Sequence, residues 1–258
     1  MRVLSDLRTA LTLLTLVPAR GEAAVRPSPA CAAWFPLIGM AFGAIGAATG
    51  LALTRLGSQS GGALALVFAA VTVALWAFLG RLLHWDGLAD TADALWGGHT
   101  PQRRLEIMAD SATGAFGATA IALVALLQVT ALAVLFAQPA ALWPVVVAVP
   151  LLGRTAALFA AWLGTPARPG GLGALVIGRP PAYAVVIALL TLTAAGMLLA
   201  FTIGPVWLLW YGAGLVVAAA VPHLLAGRVG GVTGDIMGAS VLIAETIILL
   251  VAAIGGSM

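Results

Sequence analysis

AFGATAIALVALLQVTALAVLF, running from Ala115 to Phe136, contains no charged residue and no proline. It slightly exceeds the roughly 20 apolar residues that cross a bilayer as a helix. A strand of a membrane barrel would alternate apolar and polar at every second position. Here the apolar run is continuous, so the reading is a transmembrane helix. Lipid offers no partner for free backbone amides, and only helices and closed barrels satisfy them.

The rest of the chain repeats the pattern. Runs of similar length and character cover Ala30–Leu53, Gly61–Leu83, Ala141–Leu163, Ala182–Phe201, Val206–His223 and Ile236–Ile254. Of the 258 residues, 62% are hydrophobic and only 8% charged, and the mean hydropathy is +1.11. Soluble domains carry about 25% charged residues, so this chain lacks the charge to cover a water-facing surface. The expectation is an all-α, polytopic bundle of about seven spans, forming one integral membrane domain over residues 1–258. Met1–Pro29 reads as an amphipathic or re-entrant lead-in, stopped by Pro18 and the Pro27/Pro29 pair. It lacks the form of a cleavable signal. The single cysteine, Cys31, allows no intrachain disulfide.

All twelve basic residues are arginines. With seven spans, eleven of them fall on or near one side, and only Arg55 falls on the other. The positive-inside rule makes the arginine-rich side cytoplasmic and places the N-terminus there. With a net charge of +3 and no basic run, nucleic acid is excluded as a partner. The acids Asp6, Glu22, Asp86, Asp90, Asp93, Glu106, Asp110 and Asp235 share that side, and Glu245 lies in the last span. Acids contribute little to orientation, so their clustering calls for a charged site at the membrane surface.

The centre of that site is His84-Trp85-Asp86-Gly87-Leu88-Ala89-Asp90-Thr91-Ala92-Asp93. No proline separates it from the second span, so it is expected to continue that helix. Asp86, Asp90 and Asp93 follow an i, i+4, i+7 spacing and share one helical face. Like charges so placed repel unless cations lie between them. Hard carboxylate oxygens on one face suit Mg²⁺ or Mn²⁺, which are bound by a few carboxylates together with substrate phosphates. Gly87 leaves room for a ligand or a neighbouring helix to approach closely.

Further polar islands supply more candidates. The Arg103–Gly117 stretch offers Asp110 as a fourth metal ligand or general base, Arg103 or Arg104 as a phosphate holder, and Glu106 as a site residue or a partner for Arg103. Arg154 lies inside an apolar span, where a charge is costly and usually functional. Gly230–Ala239 is a glycine-rich loop entering the last helix; its Asp235 suits a site residue or a helix N-cap. Arg228 precedes it, and His84 opens the aspartate segment.

These blocks, with Trp34-Phe35-Pro36-Leu37-Ile38-Gly39, Gly114-Ala115-Phe116-Gly117 and Gly231-Val232-Thr233-Gly234-Asp235, resemble the cobalamin synthase (adenosylcobinamide-GDP ribazoletransferase) family of bacteria. They occur in the family's order across nearly the whole chain. The resemblance implies a multi-pass enzyme of the bacterial cytoplasmic (inner) membrane, with its active site facing the cytoplasm. Such an enzyme joins adenosylcobinamide-GDP to α-ribazole or α-ribazole 5′-phosphate, releases GMP and depends on Mg²⁺. Asp86, Asp90, Asp93 and Asp110 would then be catalytic and metal-binding. His84, Arg104, Glu106, Arg154, Arg228 and Asp235 would bind substrate. A homo-oligomer is compatible with this reading. The aspartate block is also similar to the CDP-alcohol phosphotransferase motif, Asp-x-x-Asp-Gly-x-x-Ala-Arg. It departs from that motif at Leu83, where an aspartate would stand, and at Asp90-Thr91, where Ala-Arg would. A transporter using Arg154 and Glu245 is the rival from another class.

Overall fold

The computed structural model describes residues 2–18, 27–55, 61–138 and 143–255. Arg20, Glu22 and Arg26 of the lead-in lie outside them. Eleven α-helices are described: α1 (Arg2–Leu14), α2 (Phe35–Arg55), α3 (Gly61–Leu79), α4 (Leu83–Gly97), α5 (Pro101–Ile107), α6 (Ala115–Phe136), α7 (Trp143–Leu163), α8 (Gly171–Val176), α9 (Ala182–Ile203), α10 (Trp207–Val229) and α11 (Gly234–Gly255). A 3-10 turn, Cys31–Trp34, leads into α2. Among the described residues there is no β-strand, only one parallel bridge between Pro166 and Val232.

Six helices are long and apolar enough to span a membrane, and α3 with α4 forms a bent seventh candidate. The pillars are α7 and α11, whose apolar stretches are 83% and 78% buried, against 28% for α6, α9 and α10. The outer helices turn Leu126, Leu190 and Leu209 outward. In water such faces would drive aggregation; here they suit lipid contact. Where α2 crosses α7, a Cβ on Gly39 or Gly43 would run into the backbone of Pro150 or Val147. Small residues let the two backbones touch, the usual device where lipid removes the hydrophobic drive for helix association.

The second span does not continue into the aspartate segment as its sequence suggests. It stops at Leu79, and α4 leaves at 90°. The corner is made by Arg81 and Leu82, both at φ 58°. Left-handed backbone at a non-glycine residue costs roughly 1–2 kcal/mol. Packing offsets that cost: α4 lies across one end of the bundle and buries His84, Trp85, Leu88, Ala89 and Ala92. Nothing local announces this turn, since Gly80 is the only helix-weakening residue near it.

The same end collects the short elements. Helix α1 buries Thr9, Ala10 and Leu14; Leu16 donates its amide to Leu79 (3.0 Å), and Tyr183 donates its hydroxyl to Asp6 (2.7 Å). Helices α5 and α8, the N-termini of α6, α9 and α11 and the C-termini of α7 and α10 join it there. Among the described residues, most of the charges are therefore gathered at one end of the bundle, with Arg55, Arg154 and Glu245 outside it.

Candidate active site

The N-termini of α4 and α11 cross almost backbone to backbone. A Cβ on Gly87 would stand 2.8 Å from the Asp235 carbonyl oxygen, and one on Gly238 would stand 3.2 Å from the His84 Cα. Two glycines thus let the helices meet and bring Asp86 and Asp235, far apart in sequence, onto one wall. That wall closes one side of a cavity of about 640 Å³. Thr12 of α1, Arg81 of the corner and the loop holding Arg168, Gly170 and Gly171 close other sides.

Asp235 is held by local chemistry. Thr233, not Asp235, caps α11: its Oγ1 accepts the Ile236 amide at 3.1 Å. The Thr233 hydroxyl in turn donates to the Asp235 carboxylate at 3.3 Å. The cap is fastened from outside. Val232 donates to Thr165 O (2.8 Å), Ala167 donates to Val232 O (3.0 Å), and the Met108 sulfur accepts from Thr233 at 3.9 Å. Asp235 is therefore free to face the cavity, beside Asp86. Asp90, half-buried one turn further along α4, feels the charges of Asp235, Asp86 and Asp93. Among the described residues, no cation lies within ion-pairing distance of Asp86, Asp90 or Asp235, because the two ion pairs present are Arg103–Glu106 and Arg154–Glu245.

The third aspartate of the stripe faces elsewhere. Asp93 is buried, and its two oxygens accept the amides of Gly114 (2.7 Å) and Gly117 (2.9 Å) at the start of α6. A carboxylate at a helix N-terminus satisfies free amides and complements the dipole. The stripe thus has two uses: its N-terminal end faces the cavity and its C-terminal end holds α6. Gly114 and Gly117 carry no side chain because Asp93 occupies that space.

Among the remaining candidates, only His84 joins the cavity wall. It is buried and also borders a small void beside Arg154, Glu245 and Gln128. Arg104 spends its donors on backbone, Nε to Gly98 O at 2.9 Å and Nη1 to Arg228 O at 2.6 Å, tying the α4–α5 link to the end of α10. Glu106 pairs with Arg103 at 2.9 Å on an exposed face, where such pairs contribute roughly 0–1 kcal/mol. Asp110 is exposed and accepts the Ala112 amide at 3.0 Å in a local turn. The Arg228 side chain is exposed at the end of α10, and neither it nor Asp110 lines the cavity. Arg154 is sealed in the bundle, paired with Glu245 and stacked on Phe42 with Cζ 4.4 Å from the ring centroid.

Two cavity residues have no counterpart among the sequence candidates, Arg81 and Arg168. Arg81 is one of the arginines flanking a span in the sequence, and only the corner at Arg81–Leu82 turns it toward the cavity. Arg168 precedes Pro169-Gly170-Gly171, a turn signal that could have marked a shaped loop.

Mg²⁺ can be judged against the donors present. The carboxylates of Asp86, Asp90 and Asp235 are hard ligands without basic partners. Among the described residues no three acid, histidine or cysteine side chains form a closed metal-binding group. The two carboxylates at the cavity wall, Asp86 and Asp235, are a donor set that Mg²⁺ accepts when substrate phosphates and water complete its shell.

Fold and cavity define a class: a polytopic helical membrane protein with an acid-walled chamber at one end of its bundle. The family model described as Cobalamin-5-phosphate synthase matches residues 6–253, and the chain belongs to that family. Curated relatives agree over most of their length. A protein of Syntrophobacter fumaroxidans named adenosylcobinamide-GDP ribazoletransferase is 40% identical over 96% of this chain and 98% of its own. Proteins of the same name from Bradyrhizobium diazoefficiens (38%; 97% and 94% of the two chains) and Corynebacterium efficiens (34%; 95% and 90%) are similar to it. No solved structure matches the chain.

Proposed function

We propose that this chain transfers the corrinoid moiety of adenosylcobinamide-GDP to α-ribazole or its 5′-phosphate, with release of GMP. The supporting observation is the Asp86/Asp235 wall, built at a crossing of two glycines and facing a cavity large enough for nucleotide-sized groups. A ribose hydroxyl of the acceptor attacks the corrinoid-side phosphorus. The bond from that phosphorus to the oxygen bridging to GMP breaks, GMP leaves with that oxygen, and the hydroxyl proton passes to a carboxylate. Asp235 is the proposed acceptor for that proton, since it lines the cavity and Asp90 and Asp110 do not. Asp86 and Asp235 would hold Mg²⁺, which when bound neutralises diphosphate charge. His84 lines the cavity beside Asp86, where its imidazole can contact the substrate. Asp93 acts indirectly, by holding α6 against α4.

The arginine bias supports a cytoplasmic-membrane location with the cavity facing the cytoplasm. The sealed Arg154–Glu245 pair weakens the transporter reading, since it opens to no pathway. Purified protein in detergent, given adenosylcobinamide-GDP, α-ribazole 5′-phosphate and Mg²⁺, should release GMP and corrinoid product together. Asp86→Asn and Asp235→Asn should each lower kcat about 10²-fold or more and raise the Mg²⁺ concentration for half-maximal rate. Full turnover with an unchanged Mg²⁺ requirement would refute the acid wall as the reaction site.

A further inference from the structure

The cavity has a second wall that the transfer step leaves unused. Of the described arginines, only Arg81 and Arg168 line it. Arg103 and Arg104, at the same end of the bundle, are differently employed. Arg103 pairs with Glu106, and Arg104 holds two carbonyls. Arg168 has neither a hydrogen-bond nor an ion-pair partner among the described residues, although it lies near enough to Asp235 for their charges to interact. It is not adrift. The bridge of Pro166 to Val232 pins the chain two residues before it, and Ala167 donates to Val232. Beyond it, Gly170 and Gly171 adopt φ of 88° and 84° with open space where a Cβ would stand. Arg81 is fixed by the left-handed corner and makes only a long contact, 3.5 Å, from Nη1 to Thr12 O.

Two anionic groups must share this chamber when the acceptor is phosphorylated. The reacting diphosphate needs the acid wall and its cation. The acceptor's own phosphate takes no part in bond making, and bare carboxylates would repel it. Two guanidinium groups on the remaining walls, neither with an ion-pair partner among the described residues, are the complementary surface, since arginine offers paired donors matched to phosphate oxygens. We propose that Arg168 and Arg81 form a subsite for the 5′-phosphate monoester of the acceptor, and so set a preference for the phosphorylated over the free nucleoside. This rests on the ribazoletransferase reading for the identity of the acceptor.

The test is equilibrium binding of α-ribazole and α-ribazole 5′-phosphate to the full-length protein in detergent, with steady-state kinetics on both acceptors. The variants are Arg168→Gln, Arg168→Lys and Arg81→Asn, the last chosen because asparagine tolerates left-handed backbone. The wild type should bind the phosphorylated acceptor at least about tenfold more tightly. Each neutral variant should lose about tenfold on that acceptor alone, in Kd and KM, with kcat nearly unchanged. Arg168→Lys should fall between. Equal affinity of the wild type for both acceptors, or equal loss on both in the variants, would overturn the subsite. An arginine-dependent binding preference in a protein that releases no GMP would leave the subsite standing and remove the transfer reading instead.

Discussion

Asp86, Asp90 and Asp93 show how far a residue pattern can be read. Their spacing placed them on one face, and they are on one face of α4. What the spacing could not show is that the neighbours of that face change along its length. At Asp86 the neighbour is the α11 terminus, and at Asp93 it is the α6 terminus. The difference is testable, because a residue holding a helix and one holding a reaction should fail differently. Asp93→Ala removes the partners of two amides, each costing about 1–3 kcal/mol if left unmet in a buried place. It should lower the thermal midpoint in detergent by several degrees. Asp110→Asn, at an exposed turn, should leave the midpoint within about two degrees and kcat within about twofold. A stable but inactive Asp93→Ala protein would instead place Asp93 in the chemistry.

At the scale of elements, the spans were legible because lipid imposes both their length and their composition. The α6 boundaries, Ala115 and Phe136, are those read directly from the sequence. The corner at Arg81–Leu82 was not legible, because its cause is tertiary: α4 turns to fill the gap between α6 and α11. Gly87 carried a partial signal, readable as room for either a ligand or a helix, and the occupant is the Asp235 backbone. Gly87→Ala would drive a methyl group to 2.8 Å from that carbonyl oxygen. The crossing must then open, and overpacking of this kind costs roughly 1–3 kcal/mol. Turnover should fall more than tenfold while the protein remains folded by circular dichroism. Unchanged turnover would mean that the spacing of Asp86 and Asp235 is not critical.

Over the whole molecule, Arg154 and Glu245 join the two central pillars rather than form part of the site. An arginine inside an apolar span reads as functional from sequence alone, because its partner lies on a different helix 91 positions away. Gly153 makes room for the partner, since a Cβ there would collide with the Glu245 side chain. Breaking a buried pair by removing one charge costs roughly 3–5 kcal/mol, whereas replacing both with apolar groups is often close to neutral. Glu245→Gln should therefore give poor yield and a low thermal midpoint. The double replacement Arg154→Met/Glu245→Leu should recover much of both, together with activity. Recovery of folding without activity would assign the pair a part in the reaction.

The crossing of α4 with α11 also has a consequence in time. Helix α4 leaves the ribosome well over a hundred residues before α11, which at ordinary synthesis rates is on the order of ten seconds or more. Throughout that interval the aspartate helix has no lid, and its acids lack the wall that completes them. Catalytic competence therefore arrives late in synthesis, when α11 inserts, and a stalled chain is inert rather than partly active. Chains stalled short of Gly234 should be cut by added protease within the Leu88–Ala94 stretch of α4, which the complete fold buries; resistance equal to that of the complete protein would mean that α4 is seated without its partner.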